Sequence, residues 1–169
     1  VAESSQVKTA GHGSVQILDA STPTPKSYTL SYEEGDLSIT DVQTESNVVH
    51  DRFAIAGETA GRQQPGELSM TVRFRQFANT TPGEDTLIDV IERTNNWSAA
   101  VSTGGSGYES FLHKVVVTVE GTDFGDQADH VWTFERVKLD YSYAEGDPSN
   151  SLTISGIIYS VGTRTGQGT

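Results

Sequence analysis

From Leu68 to Phe74 every second residue is apolar, with Leu68, Met70, Val72 and Phe74 on one side of the alternation and Ser69, Thr71, Arg73 and Arg75 on the other. A period of two is the mark of a strand with one face in a core and one in water. The pattern recurs from Phe111 to Gly121, where Phe111, His113, Val115, Val117 and Val119 share a face, and from Ser151 to Ser160, where Leu152, Ile154 and Ile158 do. Between them, His130 to Tyr143 changes phase. Trp132 and Phe134 set one register, and Val137, Leu139, Tyr141 and Tyr143 set the opposite one, which predicts a bulge near Glu135 or Arg136. Shorter runs at Tyr28 to Tyr32 and Asp36 to Val42 flank Glu33-Glu34-Gly35, read as a tight turn, and Val15, Ile17 and Leu18 suggest an edge strand. The expectation is a mainly β single domain over residues 1–169, a β-sandwich or open barrel.

One helix interrupts the strands. Thr81 is read as its cap, Pro82 as its first residue and Glu84 as the partner closing a capping box, which predicts a helix over about 82–94. Leu87, Ile88, Val90 and Ile91 give it an apolar stripe suited to covering a sheet, and Asn95-Asn96 ends it. Three stretches carry no period. Residues 1–14 read as a flexible arm, 161–169 as a tail that frays unless a neighbour holds it, and about 43–67 as a long loop, with a β-hairpin folded back on its own subunit as the alternative.

The 169 residues include 23 acidic and 11 basic side chains, a net charge of -12 that disfavours nucleic-acid binding, because such binding needs Lys and Arg to neutralise phosphates. With no cysteine, the chain has no disulfide, thiolate metal site or cysteine nucleophile. No apolar run approaches the roughly 20 residues of a membrane span, and Val1 to Thr9 has no apolar leader core, so no membrane anchor is expected.

The polar residues do not assemble a recognisable reaction site. Glu34 with Asp36, and Glu145 with Asp147, are conceivable carboxylate pairs, but both flank a glycine in turns, where Asp commonly accepts backbone hydrogen bonds. Glu120, Asp123, Asp126 and Asp129 are spaced by three, without the glycine and closing glutamate of a twelve-residue calcium loop. His12, His50, His113 and His130 lack metal-ligand spacing. No catalytic residue, metal or cofactor is expected, and the chain is not read as an enzyme. Trp97 and Trp132 leave open an alternative, a carbohydrate-binding or adhesion β-sandwich module.

Two segments echo each other: Tyr32-Glu33-Glu34-Gly35-Asp36-Leu37-Ser38-Ile39-Thr40, and Tyr143-Ala144-Glu145-Gly146-Asp147 followed by Ser151-Leu152-Thr153-Ile154. Similar hairpin ends or shared turn chemistry would each produce them. These segments, with Glu120-Gly121-Thr122-Asp123-Phe124-Gly125-Asp126 between them, the central helix and the acidic composition, resemble the major tail tube proteins of long-tailed bacteriophages and of phage-like gene transfer particles. The resemblance implies a structural homo-oligomer. Six subunits would close into a ring, rings would stack into a hollow tube, and DNA would pass through the lumen without specific binding. Other tail proteins would meet the tube ends, and the tube, a virion component, would assemble in the bacterial cytoplasm. It also implies that the turns at Glu34, Gly35 and Asp36 and at Glu145, Gly146 and Asp147 belong to the subunit sheets, and that the segment 43–67 reaches a neighbouring ring. The candidate contacts in that segment are Val48, Val49, Arg52, Phe53, Ile55 and Arg62, apolar side chains outside any core alternation with arginines to pair a neighbour's acids.

Overall fold

The computed structural model describes residues 13–30, 36–73, 85–121, 128–147 and 149–166. Ten strands run in the order β1 (Gly13–Leu18), β2 (Ser27–Leu30), β3 (Ser38–Thr40), β4 (Gln43–Asp51), β5 (Ala54–Gln64), β6 (Gly66–Arg73), β7 (His113–Val119), β8 (His130–Ala144), β9 (Ser151–Ile158) and β10 (Thr163–Thr165). A short helix, α1 (Leu87–Glu92), lies between β6 and β7. The main sheet is antiparallel in the order β2-β1-β7-β8-β9-β6-β3, with β10 also paired to β8, and β4 and β5 form a second, two-stranded sheet. The fold is thus mainly β, open rather than closed into a barrel, with one flanking helix.

The alternating runs fall where the period predicts. Leu68, Met70 and Val72 of β6, Val115 and Val117 of β7, and Leu152, Ile154 and Ile158 of β9 all turn inward and are buried. The predicted bulge is present in β8. Val115 pairs with Phe134 but His113 pairs with Val137, so Glu135 and Arg136 together face Lys114 alone. The extra residue keeps Phe134 and Val137 both buried while Glu135 and Arg136 are exposed. Along its other edge β8 has two partners in succession, β10 over Val131 to Thr133 and β9 over Val137 to Ala144. The changeover is held by the Tyr159 amide donating to the Arg136 carbonyl (2.9 Å) and the Arg136 amide donating to Ser160 Oγ (3.1 Å).

Four sequence expectations change. Residues 43–67 are not an irregular loop but β4, β5 and the start of β6. The turn at Glu33-Glu34-Gly35 does not join paired strands, because β2 pairs with β1 and β3 with β6, at opposite ends of the strand order; residues 31–35 themselves lie outside the described residues. Strand β1, expected at an edge, lies between β2 and β7, and β2 takes the edge instead.

The fourth concerns the helix start. Thr81, Pro82 and Glu84 lie outside the described residues, and α1 is capped instead by Thr86, whose Oγ1 accepts from the Asp89 amide (3.2 Å) while the Asp89 carboxylate accepts from the Thr86 amide (3.1 Å). The same carboxylate accepts from Thr94 Oγ1 and Asn95 Nδ2, both at 2.7 Å, beyond the left-handed stop at Arg93 (φ 59°). One side chain therefore closes both ends of the helix. Burial alone would raise the Asp89 carboxyl, but these hydrogen bonds hold it below its ordinary value of 3.8. Leu87 and Val90 are buried in the core, with Ile88 and Ile91 packed at its margin.

Beneath the helix, His113 is 1% exposed, with Nε2 at 3.3 Å from the Val90 carbonyl and the Phe111 and Trp97 rings 4.9 and 6.2 Å away. Burial, with a smaller contribution from Arg93 and against the hydrogen bond to Val90, lowers its pKa from 6.5 to about 4. The unfolded chain therefore takes up this proton at higher pH than the folded one. The stability this difference contributes is complete above pH 6.5 and declines as pH falls toward 4, by on the order of 3 kcal/mol. Denaturant titrations across that window should show the decline, and His113→Leu should flatten it. Thr86→Ala should lower stability by about 1 kcal/mol at neutral pH in the same assay.

Candidate assembly surface

Strands β4 and β5 share no face with the core. Every residue from Gln43 to Gln64 is exposed except Gly61, which is half-buried, and among the described residues the two strands pair only with each other. Apolar side chains occupy both faces: Val48 pairs with Glu58 and His50 with Ile55 on one, Val49 with Gly57 and Asp51 with Ala54 on the other. This explains why the segment has no period of two, since neither face is selected to be apolar. Nine residues of strand at about 3.3 Å each make a ribbon roughly 30 Å long.

Its tip is the least protected part of the described surface. Phe53 is 108% exposed, Ile55 72%, Val48 50% and Val49 46%. The chain reverses through Arg52 (φ 39°) and Phe53 (φ 77°), two positive φ values in succession, the sign pattern of a type I′ hairpin turn. Asn-Gly or Asp-Gly normally occupies such a turn, and L side chains like Arg and Phe are held there at a cost on the order of 1 kcal/mol each. A two-stranded ribbon is at best marginally stable in water on its own. Within this one, Ser46 Oγ donates to Glu58 (2.6 Å) and Gln64 Nε2 to Glu45 (2.5 Å).

The root of the hairpin is rigid by contrast. Gly66 opens β6 against the β3–β4 connection so closely that a Cβ there would lie 2.3 Å from the Thr40 carbonyl oxygen. The Asp41 carboxylate accepts from its neighbour's amide, Val42 (2.7 Å), and from the amide of Gly162 (3.0 Å), which ties the root to the connection between β9 and β10. Beside it opens a cleft of about 340 Å³ lined by Leu37, Ile39, Asp41, Val117, Trp132 and Phe134. No sequence pattern marks this cleft, which β3 lines together with β7 and β8 without pairing to them.

The structure gathers all six candidate contact residues, Val48, Val49, Arg52, Phe53, Ile55 and Arg62, onto this one ribbon, and all are exposed. It does not bring the two echoing turns into equivalent settings. Glu145, Gly146 and Asp147 form the exposed turn between β8 and β9, where Asn150 Oδ1 accepts from the Gly146 amide (3.3 Å). Glu34 and Gly35 lie outside the described residues, and Asp36 accepts from the Thr71 amide (2.5 Å). Of the acidic cluster, Asp123 and Asp126 are likewise outside, and Asp129 accepts from the Gly121 amide (2.9 Å). Among the described residues no three His, Asp or Glu side chains are placed to hold a metal ion. Trp97 is fully buried with Nε1 donating to Asp85 (3.1 Å), and Trp132 is half-buried under Arg164 (5.5 Å), so these two indoles do not form an exposed sugar platform.

Among solved structures, the chain is similar to one in the anti-feeding prophage (AFP) baseplate, 6-fold symmetrised, at a TM-score of 0.60 and 11% identity over 98% of each chain. It is also similar to one in the AFP tube terminating cap, at 0.60 and 9% over 98% of this chain and 95% of that one. A third similar chain belongs to the PVC sheath/tube terminator of an extracellular contractile injection system in its extended state, at 0.56 and 11% over 91% and 93%. At these identities the likeness is one of fold: the chain has the fold of components of phage-like contractile injection systems. No protein-family model matches the sequence, and no curated protein matches it.

Replacing Arg52 by Asn and Phe53 by Gly supplies a relaxed type I′ turn. In the unassembled chain the amides of β4 and β5 should then exchange with solvent more slowly, by about the factor that 2 kcal/mol confers, as read by hydrogen exchange.

Proposed function

We propose that this chain is a non-catalytic, tube-forming structural subunit of a phage-like particle. Six copies close into a ring, rings stack into a hollow tube, and the hairpin β4–β5 supplies the contact between successive rings. The carrying observation is that ribbon: 22 residues with an apolar, backbone-strained tip, fixed at the root and packed on nothing of their own. The likeness of fold to baseplate and cap chains of injection systems supports the same reading, as does the six-fold symmetry of one of those assemblies. It favours a phage-like injection particle, built in the bacterial cytoplasm with other proteins capping the tube, over a long-tailed phage virion in particular.

The physical logic is one of repetition. Burial of apolar surface returns about 25 cal/mol per Å², less the entropy of ordering the ribbon, so a single hairpin contact is modest and six around a ring are not. Val48, Val49, Phe53 and Ile55 provide the apolar area, with Arg52 and Arg62 set to meet acids of the adjacent copy. The net charge of -12 suits an inner wall of negative potential, which repels a phosphate backbone and lets DNA travel without sticking.

Negative-stain microscopy of the purified protein should show hollow tubes or six-membered rings. A compact monomer at all concentrations would sink the proposal. Replacement of residues 43–64 by a short Gly-Ser connection should keep the β-type circular dichroism and abolish long tubes, whereas tubes of unchanged length would remove the hairpin from the stacking contact.

A further inference from the structure

We infer that the hairpin tip of one copy seats in the cleft at the hairpin root of the next, with Phe53 entering between Ile39 and Trp132 and Arg52 meeting Asp41. The inference rests on the tube reading and names the acceptor surface that reading leaves open. Two apolar features face solvent on the same chain, a fully exposed Phe53 with Ile55 beside it, and a cleft of about 340 Å³ where the partly exposed Leu37, Ile39 and Trp132 stand over the buried Val117 and Phe134.

Geometry excludes an intramolecular match. Asp41 of the cleft lies two residues before β4 begins, so the cleft is at the root of a ribbon whose tip is roughly 30 Å away. The ribbon is paired over its whole length and fixed at the root by Asp41 and Gly66, and cannot fold back on itself. The occupant must come from another molecule, and a second copy carries the complementary part at the required place.

Charge favours the same partner. A chain of net charge -12 repels its own copies, yet the ribbon is nearly neutral, with Glu45, Asp51 and Glu58 against Arg52 and Arg62. The cationic side chain that leads the tip, Arg52, arrives where the cleft wall holds its single charge, Asp41. That carboxylate accepts from two backbone amides and retains lone-pair capacity for a guanidinium. The half-buried Trp132, with Arg164 over its ring at 5.5 Å, still lines the cleft and offers a Phe ring an aromatic neighbour.

Tip and cleft are different surfaces, so the contact is head-to-tail. Such a contact has direction and repeats from copy to copy, closing a ring or extending a filament, whereas a tip-to-tip contact would end at a dimer.

The absence of cysteine makes the test direct, since any disulfide must come from engineered positions. Chains carrying Phe53→Cys are mixed with chains carrying Ile39→Cys under conditions where microscopy shows tubes or rings, and then oxidised. Disulfides between the two variants should exceed those within either by roughly tenfold, because docking raises the effective concentration of that thiol pair. A single chain with both substitutions should give a ladder of covalent oligomers on a denaturing gel. Leu37→Cys, on the same cleft wall, repeats the experiment should Ile39→Cys fail to fold. Tubes or rings with only 53-to-53 dimers, only intramolecular bridges, or no disulfide at either cleft position would overturn the inference and leave the tube reading standing. No assembly of any kind would overturn both.

Discussion

The fold turns on the extra residue in β8. Phe134 and Val137 are three apart in sequence yet both point into the core, which an uninterrupted strand does not allow, and the bulge at Glu135 and Arg136 supplies the half-turn of phase. Without it, Val137 and Leu139 would face water. The same irregularity divides the far edge of β8 between β10 and β9, and the connection between those two strands carries Gly162, which binds Asp41. The cleft that β3 lines together with β7 and β8 includes that same Asp41. The root of the hairpin is thus positioned by a single inserted residue in a distant strand.

The molecule then divides into two physical regimes. The body satisfies its own apolar faces, and several of its acids are spent on backbone amides. Asp19 accepts from the Ser21 hydroxyl and from the amides of Val101, Lys26 and Ser21, and its carboxyl stays below 3.8 because these bonds outweigh the opposing effect of burial. Asp41 at the hairpin root and Asp89 at the helix likewise accept from backbone amides. The ribbon has no such internal support. It exposes apolar side chains on both faces and holds Arg and Phe where glycine would sit more easily, a combination that makes sense for a part whose packing partner is another molecule.

How much was legible follows from where selection acts locally. Strands β6, β7 and β9 could be read because each buries one face, and the bulge could be read because two alternating runs of opposite phase meet within one segment. The helix stripe was legible, but its start was not. Thr81 with Glu84 and Thr86 with Asp89 offer the same capping spacing, and the hydrogen bonds of Thr94 and Asn95 to Asp89, made where the chain turns beyond Arg93, favour the second. The hairpin ranked only as an alternative to a loop because its faces are both exposed and its tip lacks the Asn-Gly or Asp-Gly signal. Even so, the residues that make its surface unusual, Phe53 and Ile55 with Arg52, were identifiable as apolar and cationic groups without a place in the core.

What the sequence by itself determined is which side chains of β6, β7, β8 and β9 turn inward, since a period of two is written in neighbouring residues and needs no knowledge of the partner strand. It also determined the acidity, the lack of thiol chemistry and the surplus of apolar residues in 43–67. Only the tertiary structure decided that β2 and β3 stand at opposite ends of the sheet, that β10 docks on β8, which carboxylates bind backbone amides, and that a cleft opens at Asp41. Those outcomes depend on pairings between residues far apart in the chain, whose relative energies come from how whole faces pack together, and no local pattern encodes that comparison.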